Sequence, residues 1–285
     1  MDTALSEEAG TTIASSSPLA VSKRSDAYWR ATFDNPPLNL FDPQTILALR
    51  ELMDTLEADP AVKVVVFDSA DAEFFIAHFD AARGGELPGP GPTGLPAWAD
   101  LATRLARAPF VTIAEIRGRA RGAGSEFALA CDLRFASRER AVFGHPEVGV
   151  GLVPGGGSIE ALPGLAGRSR ALEIIVGSED FDAGTAQQYG WINRALPDAE
   201  LSAFVDRLAR RIAGFEQAAL VAAKAQINKR AGVPSGDDLA EAAAVFRESG
   251  TWVGTQRRVR EALAQGLQQR GDFELNLGAR LGPAD

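Results

Sequence analysis

The order of apolar and polar positions predicts strands that alternate with helices along the first two thirds of the chain. Residues 27–33 alternate as a strand does, and residues 62–69 form the short, nearly continuous apolar run of a strand covered on both faces. Between these runs, apolar residues recur at helical spacing over residues 43–59, after a proline that suits a first helical turn. A further buried strand is predicted over residues 109–118. Such alternation is typical of an α/β fold with crossover connections.

Two other patterns set the limits of this α/β region. Residues 83–96 contain four prolines and five glycines, so we predict a loop there, either a lid beside a site or a plain surface excursion. Helical spacing dominates the last third of the chain. We therefore predict a disordered tail over residues 1–25, an α/β core over residues 26–197 and a helical region over residues 198–285.

Composition and charge exclude several classes of protein. With 285 residues, 46% hydrophobic and 24% charged, the chain has an ordinary globular composition. A net charge of −9 disfavours nucleic acid as a partner. No run of 18 apolar residues exists, so no membrane span is predicted. Residues 1–25 lack the charged-then-apolar order of a secretory signal, and we expect a cytoplasmic protein.

The candidate chemistry is concentrated in residues 116–152. A turn that contains Gly122 and Gly124 leads directly into Glu126 and an apolar run, and a second carboxylate, Glu147, follows 21 residues later. Glycines let a ligand approach backbone N–H groups closely, and a helix that begins after such a turn adds the positive end of its dipole. The pattern predicts a site that stabilises developing negative charge.

Five segments, taken in order, resemble the enoyl-CoA hydratase/isomerase (crotonase) superfamily over residues 26–275. They are residues 59–69, 74–80, 122–137, 143–157 and 168–197. The resemblance implies an α/β fold built as a spiral of ββα units, with residues 198–285 as a helical trimerisation region. It also implies a homotrimer, or a hexamer built as two stacked trimers.

The resemblance implies a reaction on an acyl-CoA thioester that passes through an enolate. The enolate oxygen needs two preorganised donors, and the family assigns these to the backbone N–H groups of Phe79 and Ala123. Substrate contacts are implied at Ala77, His78, Asp80, Gly155 and Phe273, with the Gly155 N–H near a catalytic carboxylate. Many relatives have small residues at positions 78 and 79, and a glycine at position 123, so the pocket of this chain is expected to differ in shape.

Glu126 and Glu147 fall on the positions of the paired catalytic carboxylates of true hydratases. Two carboxylates that straddle one water suit the hydration of a trans-2-enoyl thioester, because one accepts a proton while the other delivers one. We expect Glu147 to be the acid/base at Cα and Glu126 to position and polarise the water. The alternative is that either glutamate is a solvated surface residue. No metal and no cofactor beyond the coenzyme A of the substrate are expected.

Both histidines of the chain lie in these motifs. His145 either orients Glu147, caps a turn or transfers protons, and His78 either lines the acyl pocket or takes part in catalysis. Asp80 either lies near the substrate entrance or caps a turn. Ser125, Asp132 and His145 stand in the order of a hydrolase triad, but the glycine that a nucleophile elbow needs two residues after the serine is missing.

Two further residues are assigned to structure rather than to chemistry. Cys131 is the only cysteine, and we predict core packing rather than a nucleophile. Lys224 matches a lysine often seen in the family, and we expect it to be structural or to face the phosphates of coenzyme A. The most favoured function is thus an enoyl-CoA hydratase. The alternatives are an enoyl-CoA isomerase, an acyl-CoA hydrolase or lyase, or a non-catalytic oligomer that binds acyl-CoA.

Overall fold

The computed structural model describes residues 17–282, which form two sheets and a set of helices. The strands are β1 Leu19–Lys23, β2 Tyr28–Phe33, β3 Val64–Ser69, β4 Phe74–Ile76, β5 Val111–Ile116, β6 Arg119–Arg121, β7 Leu133–Ser137, β8 Val142–Gly144, β9 Asp180–Asp182 and β10 Arg194–Leu196. The helices are α1 Pro43–Ala58, α2 Ala97–Arg107, α3 Ala123–Ala130, α4 Ser158–Ala166, α5 Arg168–Gly177, α6 Ala183–Tyr189, α7 Asp198–Ala213, α8 Gln217–Ala231, α9 Gly236–Gly250, α10 Val253–Gln265, α11 Asp272–Leu275 and α12 Leu277–Leu281. Short 3₁₀ turns occur at Gly84–Glu86 and Val148–Val150.

The two sheets are built by the same repeated step. The larger sheet has the order β1-β2-β3-β5-β7-β10, and the smaller has the order β4-β6-β8-β9. The pairs β3–β4, β5–β6 and β7–β8 each place one strand in each sheet, and each pair is followed by a helix. All strand pairs within the two sheets are parallel except β1 with β2 and β8 with β9. The chain therefore forms the predicted spiral of ββα units, and the α/β crotonase-like fold is confirmed.

Strand β3 is covered by apolar clusters on both faces, which explains its unbroken apolar run. Val65 and Phe67 lie in the central core between the sheets, whereas Val64 and Val66 pack in a second cluster beneath α7. Alternate side chains of a strand point to opposite faces, so a strand covered on both sides needs apolar residues at every position.

The helix that carries Glu126 is fixed by an aromatic cluster. The ring of Phe127 lies 5.0 Å from the rings of both Phe33 and Phe67, edge to face. Each such pair contributes about 1 kcal/mol beyond the area that it buries. Because Glu126 directly precedes Phe127, the packing of this core also sets the position of the carboxylate.

The ordered part of the chain begins earlier than predicted. Leu19–Lys23 forms β1, which pairs antiparallel with β2, so the predicted disordered tail over residues 1–25 is wrong for this strand and the core does not start at residue 26. Residues 1–16 of that tail lie outside the described residues. The sequence signal was weak because this edge strand buries little besides Leu19.

The C-terminal part is helical from residue 198 onward, as predicted. Strands β6, β9 and β10 were not predicted, since three residues are too short to show a period. Within residues 17–282, no helix is both long and apolar enough to cross a membrane.

Replacing the central aromatic ring tests this account of the core. We expect Phe127→Ala to lower the free energy of unfolding by about 3–5 kcal/mol, because it leaves a cavity at the centre of the aromatic cluster. The matched control is Phe215→Ala, at a ring that is 44% exposed, with an expected change below about 1 kcal/mol. Urea unfolding measures both values. Similar losses for the two variants would contradict a core centred on Phe127.

Candidate active site

A cavity of about 440 Å³ opens at the start of α3. Its wall is mostly apolar and comes from the first half of the chain together with α9, α10 and α12. The polar or charged side chains on the wall belong to His78, Glu126, Glu147, Trp98 and Arg247. The structure therefore brings both predicted catalytic carboxylates to one apolar cavity.

The proline- and glycine-rich loop over residues 83–96 forms part of this wall. Gly84, Gly85, Leu87 and Pro88 line the cavity. The sequence predicted that this loop is either a lid beside a site or a surface excursion. The structure places the loop beside the site.

The backbone N–H groups of Phe79 and Ala123 lie on the wall and make no hydrogen bond to the described part of the chain. Phe79 follows His78 in a segment held beside Phe41, where Phe41 N–H donates to His78 O at 2.9 Å and Asp80 N–H donates to Phe41 O at 3.1 Å. Ala123 is the first residue of α3, where an N–H has no intrahelical acceptor. Within residues 17–282, neither the Phe79 N–H nor the Ala123 N–H donates to another protein group. Both residues line the cavity, as the predicted oxyanion pair requires.

Glu126 is buried, and one of its oxygens is already occupied. Its Oε1 accepts the Gly156 N–H at 2.7 Å and the Ser158 hydroxyl at 3.0 Å. Burial, reinforced by the negative charge of Glu147, raises the pKa of Glu126 to about 7, although His145 and the two hydrogen bonds lower it. Near neutral pH the carboxyl group of Glu126 is therefore divided between its neutral and its ionised form.

The backbone donor beside Glu126 is one residue away from the predicted one. The prediction assigned it to Gly155, but the N–H that reaches Glu126 belongs to Gly156. Gly155 does line the cavity, and a Cβ there would lie 2.3 Å from the Cβ of Phe246 on α9. Glycine at position 155 therefore permits the approach of α9. A Cβ at Gly156 would lie 2.1 Å from Glu126 Oε2, so this position also excludes a side chain.

Glu147 approaches the glycine turn of α3 from the other side. Gly122 has a φ of 48°, and a Cβ there would lie 2.8 Å from Glu147 Oε1. The carboxylate thus occupies space that only glycine leaves free, in a backbone region that L-residues with side chains rarely adopt. Glu147 Oε2 makes no hydrogen bond to the described part of the chain and lies 3.4 Å from His145 Nδ1.

Comparison with known proteins agrees with this geometry. A sequence profile of the enoyl-CoA hydratase/isomerase family matches residues 24–265. The chain belongs to the enoyl-CoA hydratase/isomerase family. It is therefore an enzyme of the crotonase superfamily, whose members act on acyl-CoA.

Individual relatives and structures are similar over most of the chain. The crotonyl-CoA hydratase of Syntrophomonas wolfei is 31% identical over 193 residues, which cover 67% of this chain and 74% of that protein. The carnitinyl-CoA dehydratase of Salmonella heidelberg is 32% identical over 197 residues, which cover 68% of this chain and 74% of that protein. A crystal structure of a candidate enoyl-CoA hydratase from Streptomyces avermitilis is 44% identical, with a TM-score of 0.88 over 96% of this chain and 100% of that one.

In this family member, His78 is tied to the C-terminal segment. Its Nε2 lies 3.1 Å from a carboxylate oxygen of Glu274, and its Nδ1 lies 2.8 Å from the carbonyl oxygen of Phe79. Burial lowers the pKa of His78, but the charge of Glu274 and the hydrogen bonds outweigh it, and the net shift is upward. Because both ring nitrogens are engaged, the structure favours a role in holding the loop over direct proton transfer.

The remaining predicted substrate contacts lie behind the wall rather than on it. Asp80 accepts the Ala82 N–H at 3.0 Å and the side chain of Gln268 at 2.8 Å, so it caps a turn. Ala77 is fully buried among apolar residues. Phe273 packs in an apolar cluster with Leu267 and is absent from the cavity lining. Direct substrate contacts at these three positions gain no support from the structure.

Cys131 and Lys224 both have structural contacts. This was the favoured prediction for Cys131 and one of the two predictions for Lys224. Burial raises the pKa of Cys131 to about 12, which leaves it an inert thiol. The ammonium of Lys224 donates to Leu105 O, Phe110 O and Asp132. Asp132 is thus engaged away from His145, and the hydrolase triad suggested by chain order does not form with this aspartate.

Several residues of the site were missed by reasoning from the sequence. They are Gly156, Ser158, Trp98, Trp191 and Glu274, which support the reacting groups or complete the wall. A signal existed for Gly156 and Ser158, since the triple-glycine run ends directly before Ser158. No pattern links Glu274 to His78, because 196 residues separate them. Within residues 17–282, no group of three or more His, Cys, Asp or Glu side chains is arranged to hold a metal ion.

The raised pKa of Glu126 predicts a pH-dependent gain in stability for Glu126→Gln. The neutral carboxyl stabilises the folded state fully below its ordinary pKa of 4.5, and this stabilisation is lost as the pH rises through about 7. Glutamine stays neutral, so the variant should gain stability relative to wild type at about pH 8 but not at about pH 4.5, by up to about 3 kcal/mol. Urea unfolding at the two pH values measures the difference. An equal effect at both would contradict ionisation of Glu126 as the cause.

Proposed function

We propose that the protein is an enoyl-CoA hydratase that adds water reversibly to a trans-2-enoyl-CoA thioester. The observation that carries the proposal is a single apolar cavity in which Glu126, with its raised pKa, lies near Glu147 and beside two backbone N–H groups that make no hydrogen bond to the described part of the chain. The relatives named crotonyl-CoA hydratase and carnitinyl-CoA dehydratase support it, because both names describe the same class of reaction.

The two N–H groups stabilise the enolate. In the proposed complex, the thioester oxygen accepts hydrogen bonds from Phe79 N–H and Ala123 N–H, and the dipole of α3 adds positive potential at Ala123. Negative charge grows on this oxygen during the reaction, so donors fixed in advance contribute roughly 3–4 kcal/mol each. The departures at positions 78 and 79 leave these backbone donors in place.

We propose that the Glu126 and Glu147 carboxyl groups share one proton, so that the protonated one is the general acid and the ionised one is the general base. In the dehydration direction, ionised Glu147 takes the proton from Cα, and neutral Glu126 protonates the departing hydroxyl group, which leaves as water. In the hydration direction the proton starts on Glu147: Glu126 takes a proton from water as its oxygen bonds to Cβ, and Glu147 delivers its own proton to Cα. Each turnover moves the proton from one carboxyl to the other, so the pair needs one proton in either direction. No electrons are transferred, and we propose that no cofactor is needed besides the coenzyme A of the substrate.

The wall of the cavity favours an apolar acyl group. Phe79 contacts Phe246 edge to face at 5.8 Å, and Phe41 contacts Trp98 at 5.1 Å. These aromatic rings lie on the cavity wall, and Phe79 stands at a position where many relatives have a small residue. We therefore propose short or medium uncharged acyl chains as substrates. A cytoplasmic location remains a prediction.

The direct test is the loss of enoyl-thioester absorbance with short and medium trans-2-enoyl-CoA. We expect the wild type to hydrate these substrates, and Glu147→Gln and Glu126→Gln each to lose at least about 10²-fold in kcat, because each removes a general acid or base. The matched control is Glu241→Gln, at an exposed glutamate of α9, with activity within about twofold of wild type.

Other results of the same assay identify the alternatives. Conversion of a 3-enoyl-CoA without hydration would indicate an isomerase, and release of free coenzyme A would indicate a hydrolase. Binding of acyl-CoA without any turnover would contradict an enzymatic role and support the non-catalytic oligomer.

We propose in addition that the protein assembles as a homotrimer or as a hexamer of two trimers. The described chain exposes large apolar side chains on α5 and at the start of α10, among them Leu172, Val176 at 59% and Val253 at 84% exposure. Apolar residues grouped in this way typically mark an interface. A second and third copy of the same chain are the proposed occupants, as in the closed symmetric assemblies of most homo-oligomers.

Light scattering of the purified protein tests the assembly. We expect a mass of three or six times 30.1 kDa, and a lower mass for the double variant Leu172→Glu, Val176→Glu, because two buried charges would oppose association. A monomeric mass for the wild type at micromolar concentration would contradict the proposal.

A further inference from the structure

Three buried side chains lie behind Glu147 and do not line the cavity: Ser125, His145 and Trp191. We infer that they form a one-way chain of hydrogen bonds that holds the Nδ1–H of His145 toward Glu147 and keeps Glu147 as the ionised member of the carboxyl pair. His145 is thus a positioning residue for the reaction. Its role in turnover rests on the proposed function, whereas the direction of the chain does not.

The direction follows from the donors present. The indole Nε1–H of Trp191 lies 3.1 Å from Ser125 Oγ, and indole can only donate. The serine hydroxyl has a single hydrogen, and its other partner in the described chain is His145 Nε2, at 3.0 Å. If Oγ accepted from both neighbours, its own hydrogen would be buried with no acceptor in the described chain, which costs free energy. We therefore infer that Ser125 accepts from Trp191 and donates to His145. Since Nε2 accepts this hydrogen bond, the neutral imidazole carries its proton on Nδ1.

Neither His145 Nδ1 nor Glu147 Oε2 makes a hydrogen bond within residues 17–282. The two atoms lie 3.4 Å apart, slightly longer than an ordinary N–H···O hydrogen bond. The imidazole ring stacks on Trp191 with a centroid distance of 5.6 Å and an angle of 14°, and this stacking keeps Nδ1 close to the carboxylate. Two buried polar atoms that each lack a partner cost free energy separately, and together they can satisfy each other.

The Nδ1–H of His145 beside Glu147 determines which of the two carboxyl groups carries the proton. Glu126 faces Glu147 from α3, and His145 faces it from the preceding turn. An N–H directed at a carboxylate favours its ionised form, so the proton of the pair rests on Glu126. That arrangement leaves Glu147 ready to take a proton from Cα.

With Glu147, two of these residues also give the residue types of a hydrolase triad. Ser125, His145 and Glu147 have the order of contacts of a serine nucleophile, its base and an orienting acid. A nucleophile must reach the substrate, but Ser125 is fully buried, lies off the cavity wall and receives the N–H of Trp191. The chain therefore runs toward Glu147 rather than toward a reactive serine.

The protonation state of His145 can be measured without any assay of activity. The chain has two histidines, so solid-state ¹⁵N NMR of histidine-labelled protein gives two ring systems, and His145→Asn assigns them. We expect His145 to show a protonated Nδ1 and a bare Nε2, and Ser125→Ala to release this preference into a mixture of both forms. A protonated Nε2 on His145 in the wild type would overturn the inference, even if the protein hydrates no enoyl-CoA.

A matched pair of substitutions tests the role in turnover. The amide nitrogen of asparagine can take the place of Nδ1, whereas that of glutamine takes the place of Nε2. The measured reaction is the dehydration of a 3-hydroxyacyl-CoA, in which Glu147 must start ionised. We expect His145→Gln to lower kcat in this direction by about 10- to 10²-fold, less than loss of Glu147 itself, with KM within about twofold of wild type. We expect His145→Asn to retain distinctly more of kcat. Circular dichroism and urea unfolding check that both variants fold.

Two results would overturn the positioning role. Equal or better activity of His145→Gln than of His145→Asn would show that filling space beside Trp191 is what matters. Covalent labelling of Ser125 by a fluorophosphonate, with loss of thioester hydrolysis in Ser125→Ala, would show that the serine is a nucleophile.

Discussion

Two carboxyl groups in one apolar cavity are the constraint on which the rest of the site depends. Both cannot be ionised there at low cost, because burial and mutual repulsion each disfavour the second charge. The surroundings then differ at each carboxyl: Glu126 receives a backbone N–H and a hydroxyl on one oxygen, while Glu147 has a histidine beside it. Two identical residue types thus lie in different surroundings, which is how a pair of carboxyl groups can acquire different acid–base properties.

The two carboxylates can lie in one cavity because a few positions around them are glycines, which have no side chain to fill the space. Gly122 and Gly156 leave the space that the two carboxylates fill, and Gly124 lets α3 approach β4, since a Cβ there would lie 2.2 Å from Ile76 O. The aromatic packing of Phe127 then holds α3 at that distance. Backbone and core together place the reacting groups, which are otherwise linked by few direct contacts.

Much of the fold could be predicted from the sequence, but only part of the site. Helices such as α1 were found because their apolar period runs over several turns, whereas β6 and β10 have three residues and no period. Motifs led to the two carboxylates and to Phe79 and Ala123, all of which line one cavity in the structure. Contacts such as His78 with Glu274 were not predicted, because a pairing between distant segments leaves no local pattern. The shift from Gly155 to Gly156 shows that a motif locates a donor only to within a residue.

The contact between His78 and Glu274 affects when this part of the cavity wall can form during folding. The segment that carries Phe79 is complete when barely a third of the chain has been synthesised, yet its partner lies 196 residues further on. Closing so long a loop costs entropy that earlier, local contacts do not. We therefore expect the loop of His78 and Phe79 to gain this support late in folding, after the local contacts of the two sheets have formed.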